Sequence, residues 1–145
     1  MHMKKLVTIT TTTESLAQGL HGLKREEERL GVRLLAVERY YRQVESDIEA
    51  GTLSEESHEA ATDVLANIEA VRYDLSTFLR QLSDRRAHIE RGIKTATEIA
   101  ESRAFINYIE EDIHLMTRDA ATAREGYDDL IGNLHELTHQ NDTDS

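Results

Sequence analysis

The C-terminal part of the chain contains a string of side chains that could bind a metal ion. Residues 135 to 139 read His-Glu-Leu-Thr-His, so His135 and His139 are four positions apart and Glu136 lies between them. On a helix this spacing puts both imidazoles on one face, where they can share one zinc ion. The glutamate could then activate a metal-bound water. The string therefore raises the hypothesis of a zinc site or a zinc hydrolase.

These five residues resemble the zinc-binding motif of thermolysin-like peptidases. The resemblance implies a third protein ligand, a carboxylate or a histidine further along the chain, and a sheet edge that holds the peptide substrate. Only six residues follow His139, and the surrounding sequence suggests neither part. We therefore interpret the string as a chance match. We predict a protein without enzymatic activity, cofactor or metal, in which His135 and His139 are the residues to test for metal binding.

The composition favours long helices and excludes any chemistry that needs cysteine. The 145 residues include no proline and seven glycines, and 31% of them are charged. Proline and glycine are the residues that interrupt helices most strongly. Cysteine is absent, which excludes disulfides and thiolate chemistry, and we expect a cytoplasmic protein. No segment is apolar enough for a signal peptide or a membrane span, so we expect no membrane association.

The net charge of −11 is unevenly distributed along the chain. From Glu98 to the end there are 12 acidic and 3 basic side chains, which leaves −9 on that stretch. Such an excess disfavours direct binding to nucleic acid or to an anionic membrane. It favours a basic protein as the partner.

Apolar residues recur in alternating steps of four and three along the first third of the chain. A repeat of 3.5 residues over more than four heptads predicts a coiled-coil seam. Glu27 interrupts this repeat, and Gly51 ends it because glycine readily adopts the left-handed conformation at a helix C-terminus. The members of the predicted seam are Leu16, Leu20, Leu23, Leu30, Leu34, Val37, Tyr41, Val44 and Ile48.

The same steps resume after Ser54, which we predict to be a helix N-cap. Arg72 and Arg86 occupy two positions of this second repeat. A turn of two or three residues after Gly51 would fold the first two helices back antiparallel, with Glu27 near residues 77 to 80 and within reach of Arg80. The apolar members of the second and third repeats are Ala61, Leu65, Ile68, Leu75, Leu79, Leu82, Ile89 and Ile93, then Ile106, Ile109, Ile113, Met116, Ala120, Ala123, Tyr127, Leu130, Leu134 and Leu137.

Between residues 92 and 100 the phase of the repeat slips, and two folds remain open. One continuous helix over residues 54–138 would form a long helical hairpin that must oligomerise to cover its apolar stripe. A turn near Gly92 to Lys94 would instead give three helices over about residues 13–50, 54–91 and 96–138, with Thr95 to Glu98 as a capping box. We favour division, and predict an all-α, antiparallel, coiled-coil-like three-helix bundle.

The chain ends are predicted to lie outside this single helical domain of residues 13–138. Leu6 to Thr13 is rich in β-branched residues, which favour extended structure, so residues 1–12 are predicted to be an extended or flexible arm. Residues 139–145 are predicted to be a flexible acidic tail. Within the third helix, Gly126 and Gly132 are expected to mark close helix approach.

Two hypotheses for a binding function follow. The first is a helical interaction or scaffold protein that self-associates as a homo-oligomer and binds its partner through aromatic anchors. The second is an acidic, DNA-mimicking inhibitor of a nucleic-acid-binding protein, as in phage counter-defence. The candidate partner-binding residues are Tyr40, Tyr73, Phe105 and Tyr108 for the first, and Glu110, Glu111, Asp112, Asp128 and Asp129 for the second.

Overall fold

The structure, a computed structural model, contains three α-helices. Helix α1 is His2–Glu49, α2 is Glu55–Glu98 and α3 is Arg103–Thr143. The structure describes the backbone of residues 2–98 and 103–143 and the side chains of residues 14–95 and 106–138. No strand occurs in those backbone ranges. The fold is therefore an all-α three-helix bundle, as predicted.

The ends of α1 and α2 follow local signals in the sequence. Gly51 has a φ of +67°, the left-handed conformation that glycine adopts most easily, and it stops α1. The Ser54 hydroxyl oxygen accepts a hydrogen bond of 3.2 Å from the backbone N–H of Ser57. This is the contact of an N-cap residue, so both predicted boundary signals are confirmed.

Helices α2 and α3 are separate, so the predicted division is confirmed and the alternative of one helix over residues 54–138 is wrong. The predicted turn near Gly92 is misplaced, because α2 continues to Glu98. Thr95 does not cap α3; its hydroxyl donates a hydrogen bond of 3.0 Å to the Arg91 carbonyl within α2. Threonine can satisfy its hydroxyl in this way inside a helix, so capping-box spacing does not force a helix start.

The predicted extended arm over residues 1–12 is wrong, because α1 begins at His2. β-branched residues lower helix stability by only a few tenths of a kcal/mol each, and extending an existing helix avoids the cost of nucleation. At the other end, α3 continues to Thr143, past the predicted end at residue 138. Residues 144 and 145 of the predicted tail lie outside the described residues.

All three helices contribute to two compact units. Unit 1 comprises Met1–Glu28 and Arg80–Ala123, and unit 2 comprises Arg29–Leu79 and Arg124–Ser145. Each unit has its own buried apolar core. The core of unit 1 consists of Leu16, Leu23, Leu82, Ile89, Ile106, Ile109, Ile113, Met116 and Ala120, and that of unit 2 of Leu30, Val37, Val44, Ala61, Val64, Ile68, Leu75, Tyr127 and Leu134.

A charged network lies beside the core of unit 1. The Arg86 guanidinium donates to both carboxylate oxygens of Glu27 and, at 2.6 Å, to Glu90. The Lys24 ammonium is 2.9 Å from the same Glu90 carboxylate. The hydrogen bond from Lys24, followed by that from Arg86, lowers the pKa of Glu90. Residue numbers fall on α1 as they rise on α2 across these pairs.

The predicted partner of Glu27 is therefore wrong, since Arg86 and not Arg80 holds its carboxylate. The prediction assumed a turn of two or three residues after Gly51. The connection from α1 to α2 instead comprises residues 50–54. Five residues can span up to about 17 Å when extended, or roughly three helical turns, which allows the register of α2 against α1 to move by that amount.

In unit 2, an aromatic ring of α1 lies beside an arginine of α2, and a second ring is buried. The Arg72 guanidinium lies over the Tyr41 ring, 4.4 Å from its centroid, and an Arg72 nitrogen is 3.3 Å from a Glu69 carboxylate oxygen. Tyr127 is buried and its hydroxyl donates a hydrogen bond of 2.7 Å to Asp74. Burial, followed by this contact with a carboxylate, raises the pKa of Tyr127.

Five of the six apolar positions predicted for α3 in unit 1 are buried, whereas two of the four in unit 2 are exposed. Ile109 and Met116 are buried as predicted, whereas Leu130 and Leu137 are 43% and 38% exposed. Thr138, one residue beyond Leu137, is only 5% exposed. A straight helix drifts by about 20° per heptad against a 3.5-residue repeat, so its buried face moves along the sequence.

Candidate functional site

The groove between α1 and α3 in unit 1 is the main candidate site. It has a volume of about 540 Å³, within the range of roughly 300–1,000 Å³ that ligand pockets commonly have. Small residues of α1 form one side of it, and polar residues of α3 form the other. We call it the α1/α3 groove, and its lining residues are Ser15, Leu16, Gly19, Gly22, Asn107, Glu110, Glu111, Ile113, His114 and Thr117.

The floor of the α1/α3 groove is apolar because Leu16 and Ile113, both buried core residues, reach it. A Cβ atom placed on Gly19 would lie 3.1 Å from the Ile113 Cγ2 atom, which is closer than ordinary van der Waals contact. Gly19 therefore permits the close approach of α1 and α3 beside the groove. A Cβ atom on Gly22 would meet no atom within 4 Å, so this glycine leaves open space.

The α3 side of the groove carries negative charge. Glu110 and Glu111 are exposed, and neither forms an ion pair with a side chain that the structure describes. His114 and Asn107 lie on the same side. The groove thus combines an apolar floor with two exposed carboxylates that form no ion pair with a described side chain, and could bind an apolar group next to a cation.

A second candidate surface runs along the outer face of α1. Val32 and Leu35 are each 62% exposed, although they are large apolar residues. Glu28 precedes Val32 by four residues and Arg39 follows Leu35 by four residues, and both are exposed. With 100° per residue these four side chains fall within about 60° of one helix face. We call Glu28, Val32, Leu35 and Arg39 the outer stripe of α1.

The predicted aromatic anchors differ in exposure and in their contacts. The Tyr40 hydroxyl forms a hydrogen bond of 2.7 Å with Nδ1 of His135, so Tyr40 makes a contact within unit 2. Tyr73 and Tyr108 are 71% and 69% exposed, but they belong to different units. The side chain of Phe105 lies outside the described residues. Tyr73 and Tyr108 therefore remain candidates, each as an exposed ring of its own unit.

The predicted acidic residues divide between paired and unpaired carboxylates. Asp112 lies 3.5 Å from Arg85 in unit 1, and Asp128 lies 2.8 Å from Arg33 in unit 2. The hydrogen bond from Arg33 lowers the pKa of Asp128. Asp129 is exposed, and Glu110 and Glu111 line the groove. The structure adds no observation that favours the DNA-mimicking inhibitor, which stays a prediction.

The zinc hypothesis rests on His135 and His139. His135 uses its Nδ1 atom in the contact with Tyr40, so a metal bound there would have to use Nε2 or displace the tyrosine. The side chain of His139 lies outside the described residues. Among the side chains that the structure describes, no group of three or more His, Asp or Glu residues could hold a metal ion.

Sequence reasoning missed both surfaces. Close approach was expected at Gly126 and Gly132, but a Cβ atom on either would meet nothing within 4 Å, so this expectation is wrong. A signal for the groove did exist in α1: Ser15, Gly19 and Gly22 are spaced by four and three residues and so share one helix face.

Comparison with other proteins gives no functional lead. The chain matches no family model, no curated protein and no solved structure. Within the described residues, no helix is long and apolar enough to cross a membrane.

Proposed function

We propose that the chain is a non-enzymatic helical interaction protein that self-associates through the outer stripe of α1. The observation that carries this proposal is the exposure of Val32 and Leu35, one helical turn apart on a face that points away from the core. A single exposed apolar residue is common on protein surfaces and needs no explanation. Two large ones on one turn, between an acid and a base, form a small surface that another helix can cover.

The outer stripe is complementary to itself. A two-fold axis between residues 33 and 34 would place Val32 opposite Leu35 of a second copy. The same axis would place Glu28 opposite Arg39 of the second copy, and the reverse pair would form at the other end. Interfaces in symmetric dimers use the same patch on both subunits, and opposite charges at its two ends suit that symmetry.

The proposed interface is small, so association should be weak. The stripe rises by about 17 Å along α1, which is much less contact than a stable dimer of standard size needs. Complexes of this kind fall in the micromolar to millimolar range. The proposed setting is the cytoplasm, as expected from the sequence.

Sedimentation equilibrium between about 10 µM and 1 mM tests this proposal. We expect a monomer–dimer equilibrium in the wild-type chain. The variant Val32→Gln/Leu35→Gln should remain monomeric, because the two apolar contacts are lost. The matched control Tyr73→Gln/Tyr108→Gln, which removes exposed rings elsewhere, should associate like the wild type.

A charge exchange tests the two-fold arrangement itself. Glu28→Arg or Arg39→Glu alone should weaken the dimer, because each places like charges opposite one another. The double variant Glu28→Arg/Arg39→Glu should restore the wild-type equilibrium. A wild-type chain that stays monomeric over the whole range, or a dimer unaffected by the Val32/Leu35 change, would rule out the outer stripe as the interface.

A further inference from the structure

We propose that the α1/α3 groove binds a basic amphipathic helix from a partner protein. This goes beyond self-association, because the groove lies in unit 1 and shares no residue with the outer stripe. The two proposals can fail independently. A chain that stays monomeric can still bind the partner helix, and a chain that dimerises can fail to bind it.

The form of the groove suits a helix. It lies between two helices, and helices pack by placing the side-chain ridges of one into the groove of the other. A partner helix with aliphatic residues at positions i, i+3, i+4 and i+7 would direct them onto the apolar floor at Leu16 and Ile113. Ser15, Gly19 and Gly22 project little, so they let the backbone of such a helix approach closely.

The charge of the groove determines which helix fits. Glu110 and Glu111 lie on the α3 side, exposed and without an ion pair to any described side chain. Among the described side chains, the α1 side offers Ser15 and the two glycines besides the apolar Leu16. Lysine or arginine along one flank of the partner helix would therefore complement the α3 side. An acidic flank would face these two exposed carboxylates and would be repelled.

Gly22 leaves room for an occupant in the groove. Glycine inside a helix lowers its stability by about 1 kcal/mol relative to alanine. At Gly19 the close contact with Ile113 explains the glycine. At Gly22 a side chain would meet no atom within 4 Å, so packing within the described chain gives no reason for it. The absence of a side chain at Gly22 leaves open space in the groove.

Fluorescence anisotropy with labelled model peptides tests the proposal on the full chain. The probe is an 18-residue helical peptide with leucine on one face and lysine along one flank. The first comparison peptide has the same composition in scrambled order, and the second carries glutamate in place of lysine. We expect binding of the probe, and at least roughly tenfold weaker binding of both comparison peptides.

Variants of the chain locate the binding. Gly22→Leu fills the groove while improving helix propensity, so it should keep or raise the melting temperature and weaken probe binding by roughly tenfold or more. The matched control Gly31→Leu lies on α1 outside the groove, where a Cβ also meets no atom within 4 Å, and should leave binding unchanged.

Charge reversals separate the groove from the general acidity of the chain. Glu110→Lys/Glu111→Lys should weaken probe binding by roughly tenfold or more, whereas Glu125→Lys/Asp129→Lys makes the same charge change on α3 in unit 2 and should not. Equal binding by all variants, or by the scrambled peptide, would overturn the proposal. So would a wild-type dimer that Gly22→Leu converts to a monomer, because the occupant would then be a second copy.

Discussion

The two units hold an arginine at equivalent positions of α2 in different ways. Arg86 in unit 1 and Arg72 in unit 2 are 14 residues apart, and their α1 partners, Glu27 and Tyr41, are also 14 residues apart. The partner is a carboxylate in unit 1 and an aromatic ring in unit 2. A cation beside the core can thus be stabilised by charge pairing or by a ring face, and the surrounding charges decide which.

The surrounding charges differ sharply between the units. Unit 1 contains 11 basic and 12 acidic residues, for a net charge of −1, whereas unit 2 contains 6 basic and 16 acidic residues, for −10. Arg72 already lies next to Glu69. Partial burial, followed by the charges of Glu45 and Glu69, raises the pKa of Tyr41. A third carboxylate at position 41 would add repulsion, so a neutral ring is the better partner there.

The largest expected effect comes from shortening one core side chain in each unit. Leu23 in unit 1 and Leu75 in unit 2 are fully buried. Leu23→Ala and Leu75→Ala should each lower the free energy of unfolding by about 2–5 kcal/mol, because each loses apolar burial and leaves a cavity. Urea unfolding followed by circular dichroism measures both. A loss below about 1 kcal/mol in one unit would mean that its core can collapse around the change.

The charged network of unit 1 should give the next largest effect. The side chains of Glu27 and Arg86 are only 18% and 20% exposed, so Glu27→Leu leaves a largely buried guanidinium with Glu90 as its remaining carboxylate. We expect a loss of about 1–3 kcal/mol in the free energy of unfolding. The double variant Glu27→Leu/Arg86→Met should recover most of it. A double variant no more stable than the single one would show that the pair itself stabilises unit 1.

The ring contact of unit 2 should be weaker. Tyr41→Phe keeps the ring face over which Arg72 lies and should change the free energy of unfolding by less than about 0.5 kcal/mol. Tyr41→Gln should lose about 0.5–1 kcal/mol more than Tyr41→Phe, and Tyr41→Glu should be the least stable of the three at pH 7. If Tyr41→Glu were the most stable, a carboxylate would suit both arginines equally and the contrast between the units would disappear.

The sequence repeat predicted the cores better than the contacts beside them. Every seventh residue of α1 from Leu16 to Val44 is buried. A strict apolar repeat places these residues on one face of the helix, and that face packs into the core. The partner of Glu27 was mispredicted. The register of α2 against α1 depends on the path of residues 50–54, and the apolar repeat does not determine that path. Leu130 and Leu137 were misplaced because a fixed 3.5-residue period ignores the drift of a straight helix.

The groove was harder to predict than the core for a related reason. Gly19 and Gly22 share one helix face, but a glycine pattern alone indicates close approach, a bend or an open site equally well. The choice depends on which residue of α3 lies opposite, and Ile113 lies opposite Gly19 only in the observed register. The candidate site therefore follows from packing between helices, which a single helix pattern does not determine.

The smallest expected effect concerns acid stability, where the two units should behave alike. Glu90 in unit 1 and Asp128 in unit 2 both have a lowered pKa in the folded chain, chiefly from hydrogen bonds with Lys24 and Arg33. A lowered folded-state pKa contributes stability above the ordinary value near 4 and loses it as the pH falls through the lowered value. Since the two side chains are 36% and 45% exposed, each contribution should stay below about 1 kcal/mol.

Urea midpoints at pH 7 and pH 3 measure these acid-dependent contributions. Glu90→Gln and Asp128→Asn should be less stable than the wild type at pH 7. The difference should shrink at pH 3, because this pH lies below the ordinary carboxylate pKa near 4 and these groups bind protons in the unfolded chain. Asp129→Asn, next to Asp128 but without a described ion pair, is the matched control and should differ little from the wild type at either pH. If Asp129→Asn matched Asp128→Asn, the net charge of unit 2 rather than the pair with Arg33 would govern its response to acid.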